Sequence, residues 1–549
     1  MTSTEKSYAA AEPSKATSWA SDAVLRALVP GVFWILPLIW AAVYLLPPIN
    51  FDSSLILSVS QRWLDGERLY VDLVDVNPPL IFALNLIPAA IAKLTGFDAP
   101  VTLILCILTL IAVCVWLSVR ILPAALHSDD ATVRMILPPL ILYALVIFPG
   151  EMFSQREHLM LITLFPYTLL ASARVANVPV PAGRRFAIAI LAAIGFALKP
   201  HFLAIPALIE LYVLLRRGIK PWITGIVPWT MAVIIGAYPI AAWFLTPEYF
   251  TDVLPLVLST YSEVGGATPF TVLLGNQLGP ALLIMIPVGI AAYLARVNDL
   301  IRMIVLAGIG AAASGVLQDK GWPYHLLPAF ALAFVLAGLA VAAALDRLVP
   351  SPAKTGMRMG PPASARAIVG VVLLVFVAYT VNERRTFYDQ YGYSDSLAAQ
   401  LVRIVKPYVD GQYVLILSPG VYPHFPMLNY AHAKLGLRFQ TIWPLQGAYE
   451  ECAPDGPRYH SREDMPDSEK AIDRAVIEDF AKYKPPVVII DKIPGIRFCG
   501  GKDFDLLEYY LRQPGFAQEM EHYDLLTQYD RYIIYKRRPD APDAQSPDE

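Results

Sequence analysis

The sequence predicts a polytopic α-helical membrane protein of about eleven spans with interfacial helices beside them, followed by a small extracytoplasmic α/β domain. Three observations carry that expectation. Of 549 residues only 16% are charged and 56% are hydrophobic, against roughly a quarter charged in soluble domains. The apolar residues gather in runs long enough to cross about 30 Å of hydrocarbon. From residue 382 onward the composition turns to the charged, short-period pattern of a soluble fold.

The chain opens with a polar stretch, 1–27, that lacks the apolar core and small-residue cleavage site of a signal peptide, and reads as a disordered cytoplasmic tail. The clear apolar runs are 28–46, 101–119, 135–148, 159–173, 222–245, 278–294, 303–317, 326–345 and 367–381. Two shorter runs, 186–198 and 202–215, flank Lys199-Pro200-His201 and either cross as a pair or form a re-entrant hairpin. The run 79–94 is ambiguous. Basic residues cluster in the tail and at 120–134, 174–185, 216–220, 296–302 and 347–366. The positive-inside tendency places all of these in the cytoplasm together only if 79–94 lies in the interface, within one external segment, 47–100. Arg384-Arg385, just after the last run, goes against this arrangement.

That sidedness collects the polar residues outside. The external segments hold Asp52, Asp72, Asp75 and Asn77; Gln155-Arg156-Glu157-His158; Lys199 and His201; the acidic stretch 248–263; and Gln318 through His325, with Lys320, Trp322 and Tyr324. Ionisable residues at membrane depth mark function by default. Each also has a simpler reading. Asp52 could be an ordinary helix cap before Ser-Ser-Leu, Asp72 and Asp75 a solvated turn, Arg156-Glu157 an internally paired loop, Lys199 and His201 snorkelling cations around a proline hinge, and Trp322 and Tyr324 part of an interfacial belt. Residues 53–64 have helical apolar spacing with polar positions between, as an interfacial amphipathic helix does.

Segment 28–381 is therefore the membrane module and 382–538 the α/β domain. In the latter, 413–417, 487–490 and 529–535 read as strands, and 396–405 and 471–483 as helices. The tail 539–549 is acidic and proline-containing. Of four cysteines, Cys106 and Cys114 lie in an apolar run and read as packing residues, while Cys452 and Cys499 could pair if their region is extracytoplasmic. A net charge of −3 offers no basic field for nucleic acid. No phosphate-binding loop, paired zinc ligands or serine-hydrolase elbow occurs. An external enzyme without nucleotide needs a donor already activated in the membrane, and a polyprenyl-phosphate sugar fits, its phosphate leaving against basic residues.

These features together resemble the GT-C superfamily of integral membrane glycosyltransferases, which includes the protein mannosyltransferases and the lipid A aminoarabinose transferases. The resemblance rests on Asp52 after the first run, the amphipathic stretch after it, Tyr70-x-Asp72 leading to Pro78-Pro79-Leu80, and a second interfacial helix; it covers roughly 28–345. It implies an inverting glycosyltransferase at the periplasmic face of a bacterial inner membrane, acting on a glycan, lipid or protein acceptor. Asp52 would be the catalytic base, with Glu157 beside it. Arg156, Lys199, Lys320 and His325 would bind phosphate, and Asp72, Asp75, Asn77, Gln155, His158, His201, Trp322 and Tyr324 would complete the substrate site. Many members carry Asp-Glu where this chain has Asp52-Ser53, and Glu-Lys-Pro where it has Val76-Asn77-Pro78. A divalent metal held by that glutamate is therefore left open. A glycan transporter or flippase, or an O-antigen-ligase-like transferase, is the alternative.

Overall fold

The computed structural model describes residues 31, 33–126, 131–261, 266–275, 299–348, 386–450, 456–496 and 503–541. The runs 278–294 and 367–381, and both Cys452 and Cys499, lie outside these residues. Among the described residues the membrane module has twelve α-helices of five or more residues, α1 (Phe33–Val43), α2 (Phe51–Leu64), α3 (Pro79–Thr95), α4 (Ala99–Ala125), α5 (Ala131–Val146), α6 (Arg156–Val175), α7 (Ala182–Ala197), α8 (Ala204–Arg217), the short α9 (Ile219–Ile223), α10 (Ile226–Leu245), α11 (Asp299–Leu317) and α12 (Leu327–Leu348), besides a largely π-helical run over 249–261 and shorter turns. Four of them, α4, α6, α10 and α11, are long and apolar enough to cross a membrane.

Helix α6 is the axis. It packs against α4, α5, α7, α8, α11 and α12, and its side chains are buried almost throughout. The outer helices turn apolar faces outward instead. On α10, Val233, Ile240, Phe244 and Leu245 are more than half exposed. An apolar surface of that extent is stable only where the surrounding solvent is itself apolar. Cys114 is buried and Cys106 partly so, in keeping with packing roles.

Side-chain bonds sort the helix ends into two sets. At one, the Tyr44 hydroxyl donates to the carbonyls of Val146 and Gly150 at 3.0 and 3.3 Å. At the other, Ser172 Oγ donates to the Ala125 carbonyl at 3.0 Å, and Arg184 to the Arg120 carbonyl at 3.3 Å. Helices α7 and α8 each run from one set to the other: Arg184 and Arg217 lie at one end, and the link Lys199-Pro200-His201 at the opposite one. Both ends of α3 stay together instead. Its first residues sit beside Tyr238, whose hydroxyl accepts from Leu80 N. Lys93, in its last turn, pairs with Asp65 at 2.7 Å, which also lies 3.6 Å from Lys434 of the C-terminal sheet.

Close approach of α8 and α11 depends on Gly310. A Cβ there would stand 2.7 Å from Ile205 Cα and 3.1 Å from the Ala204 carbonyl oxygen, both backbone atoms. Neither can swing aside, so Gly310→Ala is expected to destabilise the protein by about 1–3 kcal/mol through overpacking. Thermal unfolding in detergent measures this; an unchanged midpoint would mean the helices separate freely.

Residues 386–541 build a five-stranded sheet in the order β2 (Lys434–Leu435), β1 (Tyr413–Leu417), β3 (Val487–Asp491), β5 (Tyr532–Arg537), β4 (Tyr523–Tyr529). The first three are parallel and the last two antiparallel. All five β3 side chains are buried, as expected for a parallel strand covered on both faces. Helices Leu397–Val409 and Asp467–Tyr483 extend the expected helical stretches. The expected strand 529–535 is in fact split by a turn, where Asp530 takes a left-handed backbone (φ 50°) that Asp tolerates.

The sheet sits against the first external segment. Val74 N donates to the Arg438 carbonyl at 2.7 Å and Gln440 N to the Val74 carbonyl at 3.2 Å. The stretch 53–64, expected as an interfacial amphipathic helix, is helical as part of α2. Ser53 through Ser60 of α2 are all buried, because the polar side of α2 meets protein: Ser54 Oγ donates to Asn429 Oδ1 at 2.5 Å, and Arg62 pairs with Glu67 at 2.6 Å.

Candidate active site

Between the bundle and the loops after β1 lies a cavity of about 540 Å³. Pro419, Val421 and Tyr422, just past the carboxyl end of β1, wall one side, the usual place for a site in a parallel sheet. The opposite wall comes from α2, the 75–77 loop and the start of α6.

Asp52 stands in the first turn of α2. It does not cap that helix. Asn50 does, its Oδ1 accepting from Ser53 N at 3.1 Å, which leaves the Asp52 carboxylate free to face the cavity. Asn50 is itself anchored, donating to the Glu151 carbonyl at 2.7 Å. Gln155 Nε2 donates to Asp52 Oδ2 at 2.9 Å. Burial pushes the Asp52 carboxyl up to about 6, an effect that Arg156 opposes and Glu157 reinforces.

The 68–78 loop is pinned at several points. Tyr70, in a left-handed conformation (φ 67°), donates through its hydroxyl to the Asn77 carbonyl at 2.6 Å, and its ring packs on Tyr249. The Asp75 carboxylate accepts from both the backbone and the side-chain amide of Asn77, at 2.8 and 2.7 Å. Its carboxyl is raised by burial against these two bonds. Asn77 Oδ1 in turn accepts from Arg156 Nη1. Rings complete the cavity: Tyr261, Trp322, Tyr324 and Trp443 line it, with Tyr261 edge-on to Trp443 at 5.8 Å. Such walls suit the apolar faces of a sugar.

Three cavity-lining residues carry buried polar atoms without a hydrogen-bond partner among the described residues: Asn85 Oδ1, Gln155 Oε1 and Trp443 Nε1. Buried polar groups are almost always satisfied.

Of the residues expected from sequence, Asp52, Asp75, Asn77, Gln155, Arg156, Trp322 and Tyr324 line this cavity. Others do not, and most of them have a visible employment elsewhere. Glu157 is fully buried behind it, its Oε1 accepting from Lys199 Nζ at 2.5 Å and lying 3.9 Å from His325 Nε2. Lys199 also donates to Gln318 Oε1 at 2.7 Å, and burial presses its ammonium down to about 8. Glu157, Lys199 and His325 thus form a buried cluster outside the cavity lining. His158 is fully buried; its Nδ1 accepts from Ser154 N at 3.1 Å, so Nε2 carries the hydrogen facing the Leu145 carbonyl at 2.7 Å. Asp72 accepts from Arg68 N at 2.9 Å and lies 4.0 Å from Lys482. His201 is absent from the lining. Lys320 donates to the Tyr261 carbonyl at 2.8 Å and stands over the Tyr261 ring.

Sequence reasoning missed Asn50, Glu151, Tyr261, Tyr422, Thr441, Trp443 and Gln446 as cavity residues. Among the described residues no three His, Cys, Asp or Glu side chains gather as a metal site. Three carboxylates line the cavity, Asp52, Asp75 and Glu151, and the first two are each held by an amide.

An apolar helical bundle, an α/β sheet packed on it and a polar cavity between them make up this fold, and solved membrane-protein structures share it. The particular likeness is to ArnT from Cupriavidus metallidurans. Its structure bound to undecaprenyl phosphate superposes with a TM-score of 0.54 at 13% identity, over 96% of this chain and 100% of that one. Its apo structure gives 0.51 at 13% identity, over 95% and 98%. At this identity the likeness is one of fold. No family model and no curated protein sequence matches the chain.

Proposed function

We propose that the chain is an inverting glycosyltransferase that moves a sugar from a polyprenyl-phosphate donor to an acceptor hydroxyl on the periplasmic face of the inner membrane. The observation that carries this reading is Asp52: a carboxyl whose pKa burial raises to about 6, held by Gln155 in a cavity that Arg156 also lines. A base with a pKa close to working pH is the efficient kind. The ArnT structure with undecaprenyl phosphate gives the donor class a precedent on this fold.

In the proposed step Asp52 takes the proton of the acceptor hydroxyl as its oxygen bonds to the anomeric carbon. The bond from that carbon to the lipid phosphate breaks, and the phosphate leaves with the electron pair. Arg156 meets the charge that develops there, as preorganised cations do. Attack opposite the leaving phosphate inverts the centre. Gln155 orients Asp52, and Asp75 with Asn77 orients Arg156. A transporter would instead need polar residues through the depth of the bundle. Between His158 and Arg174 the axial helix α6 carries no Asp, Glu, Lys, Arg or His.

Two outcomes check the reading. Purified protein should retain added undecaprenyl phosphate in native mass spectrometry, and Arg156→Gln should lose it; equal retention would remove Arg156 from the phosphate site. The rate should also fall about tenfold per pH unit below about 6, where Asp52 takes its proton. Arg156 lowers that pKa, so in Arg156→Gln the acid limb should move to higher pH. A limb that moves down, or stays, would separate Asp52 from the pH profile.

A further inference from the structure

The end of the bundle opposite the cavity carries a second built site. Helix α6 has Arg156 near the cavity and Arg174 in its last turn, about 27 Å away at 1.5 Å per residue. That is close to the thickness of bilayer hydrocarbon, about 30 Å. Around Arg174 a cavity of about 280 Å³ is lined by Arg174, Asn177, Arg185, Arg217 and Trp222, contributed by α6, the link after it, α7, α8 and α9.

Its charges do not balance. The lining contains three guanidinium groups and no acid. Glu210 behind it binds Arg174 through both oxygens, at 2.5 and 2.9 Å, and also accepts from Trp222 Nε1 at 2.8 Å. One arginine is thereby neutralised and two are not. Arg217 Nη2 is held by Asn177 Oδ1 at 2.5 Å, a neutral partner. Arg185 Nε is buried with no hydrogen-bond partner among the described residues. Basic residues that merely mark a cytoplasmic loop extend into water; this donor is turned into protein and left open. Beside the cavity Leu215, Ile219, Ile223 and Trp229 are exposed, and they lie on the same elements, α8 to α10.

We propose that this cavity binds the phosphate headgroup of an anionic phospholipid in the leaflet opposite the catalytic cavity. Arg185 and Arg217 grip the phosphate, for which the planar guanidinium fork is suited, and the acyl chains lie along the exposed apolar residues. A free phosphate would use the arginines and leave that apolar rim idle.

The full chain is reconstituted in nanodiscs of phosphatidylcholine with or without phosphatidylglycerol, and retained lipid is counted by native mass spectrometry. Wild type should retain phosphatidylglycerol in preference to phosphatidylcholine. Arg185→Gln with Arg217→Gln should lower retention roughly fivefold for each arginine removed, and Arg134→Gln, an exposed position outside this cavity, should not. Equal retention by wild type and the double variant overturns the proposal, as does an equal loss in Arg134→Gln. Displacement by inorganic phosphate as effective as by phosphatidylglycerol assigns a free-anion site and overturns the lipid. Hydrogen exchange needs no variant: in the wild type, residues 174–186 should exchange more slowly with phosphatidylglycerol present, and an unchanged rate there also counts against it.

Discussion

Asp52→Asn should lower glycosyl transfer by about 10²- to 10⁴-fold, the usual contribution of a positioned general base, while the protein folds and still binds its lipid donor. The substitution is nearly isosteric. Asn keeps an oxygen to accept from Gln155 Nε2, now 2.9 Å from Asp52 Oδ2, so the second wall of the cavity has no reason to move. What is lost is the ability to take a proton. Asp52→Asn therefore resembles the wild type held well below pH 6, where burial has already favoured the neutral carboxyl. The two perturbations should agree: variant activity should be low and flat across the pH range in which wild-type activity climbs. Complementing a deletion strain with each form, and comparing envelope glycans by mass spectrometry, reads this whatever the acceptor is. Full restoration by Asp52→Asn would show that another group accepts the proton. Glu151 is the one to examine first, since it lines the same cavity.

The helices and one face of the site were visible in the sequence for a common reason. Long apolar runs with polar residues only at their ends report both where helices lie and where water begins, and this marked α4, α6, α10 and α11 together with Asp52, Gln155, Arg156 and Trp322. The phase of each helix about its own axis was not visible. Arg156 and Glu157 are neighbours, yet about 100° of rotation per residue sends Arg156 to the cavity and Glu157 into the packed core with Lys199. Composition cannot choose between them, because both sit at the same depth. The Asn50 cap was hidden for a similar reason, since Asn50 and Asp52 both satisfy a cap pattern and only the geometry of the first turn decides. The contributions of Tyr422, Thr441, Trp443 and Gln446 were out of reach altogether. They share a cavity with Asp52 through contacts such as Val74 with the backbone at Arg438 and Gln440 and Ser54 with Asn429, across hundreds of residues, which no local pattern announces.

Breaking the buried pair under the cavity should cost more stability than Gly310→Ala does. Lys199→Met or Glu157→Gln is each expected to destabilise the protein by about 3–5 kcal/mol, because either leaves one charge buried without its partner. The double variant should recover a large part of that loss, since no buried charge then remains. The two single variants should differ in how they respond to pH. In Glu157→Gln the unpaired ammonium is Lys199, already pressed to about 8 by burial and by Arg156, with Glu157 the opposing influence. Removing Glu157 lowers it further, so raising the pH neutralises Lys199 and relieves the penalty. In Lys199→Met the unpaired group is a carboxylate, which is relieved by taking up a proton as the pH falls. Thermal unfolding in detergent across that range should show the two penalties shrinking in opposite directions. Parallel pH dependences would mean the charges are screened by water that reaches the cluster. That outcome would also reopen Glu157 as a group accessible to substrate, because it is otherwise enclosed with Lys199 and His325 outside the cavity lining.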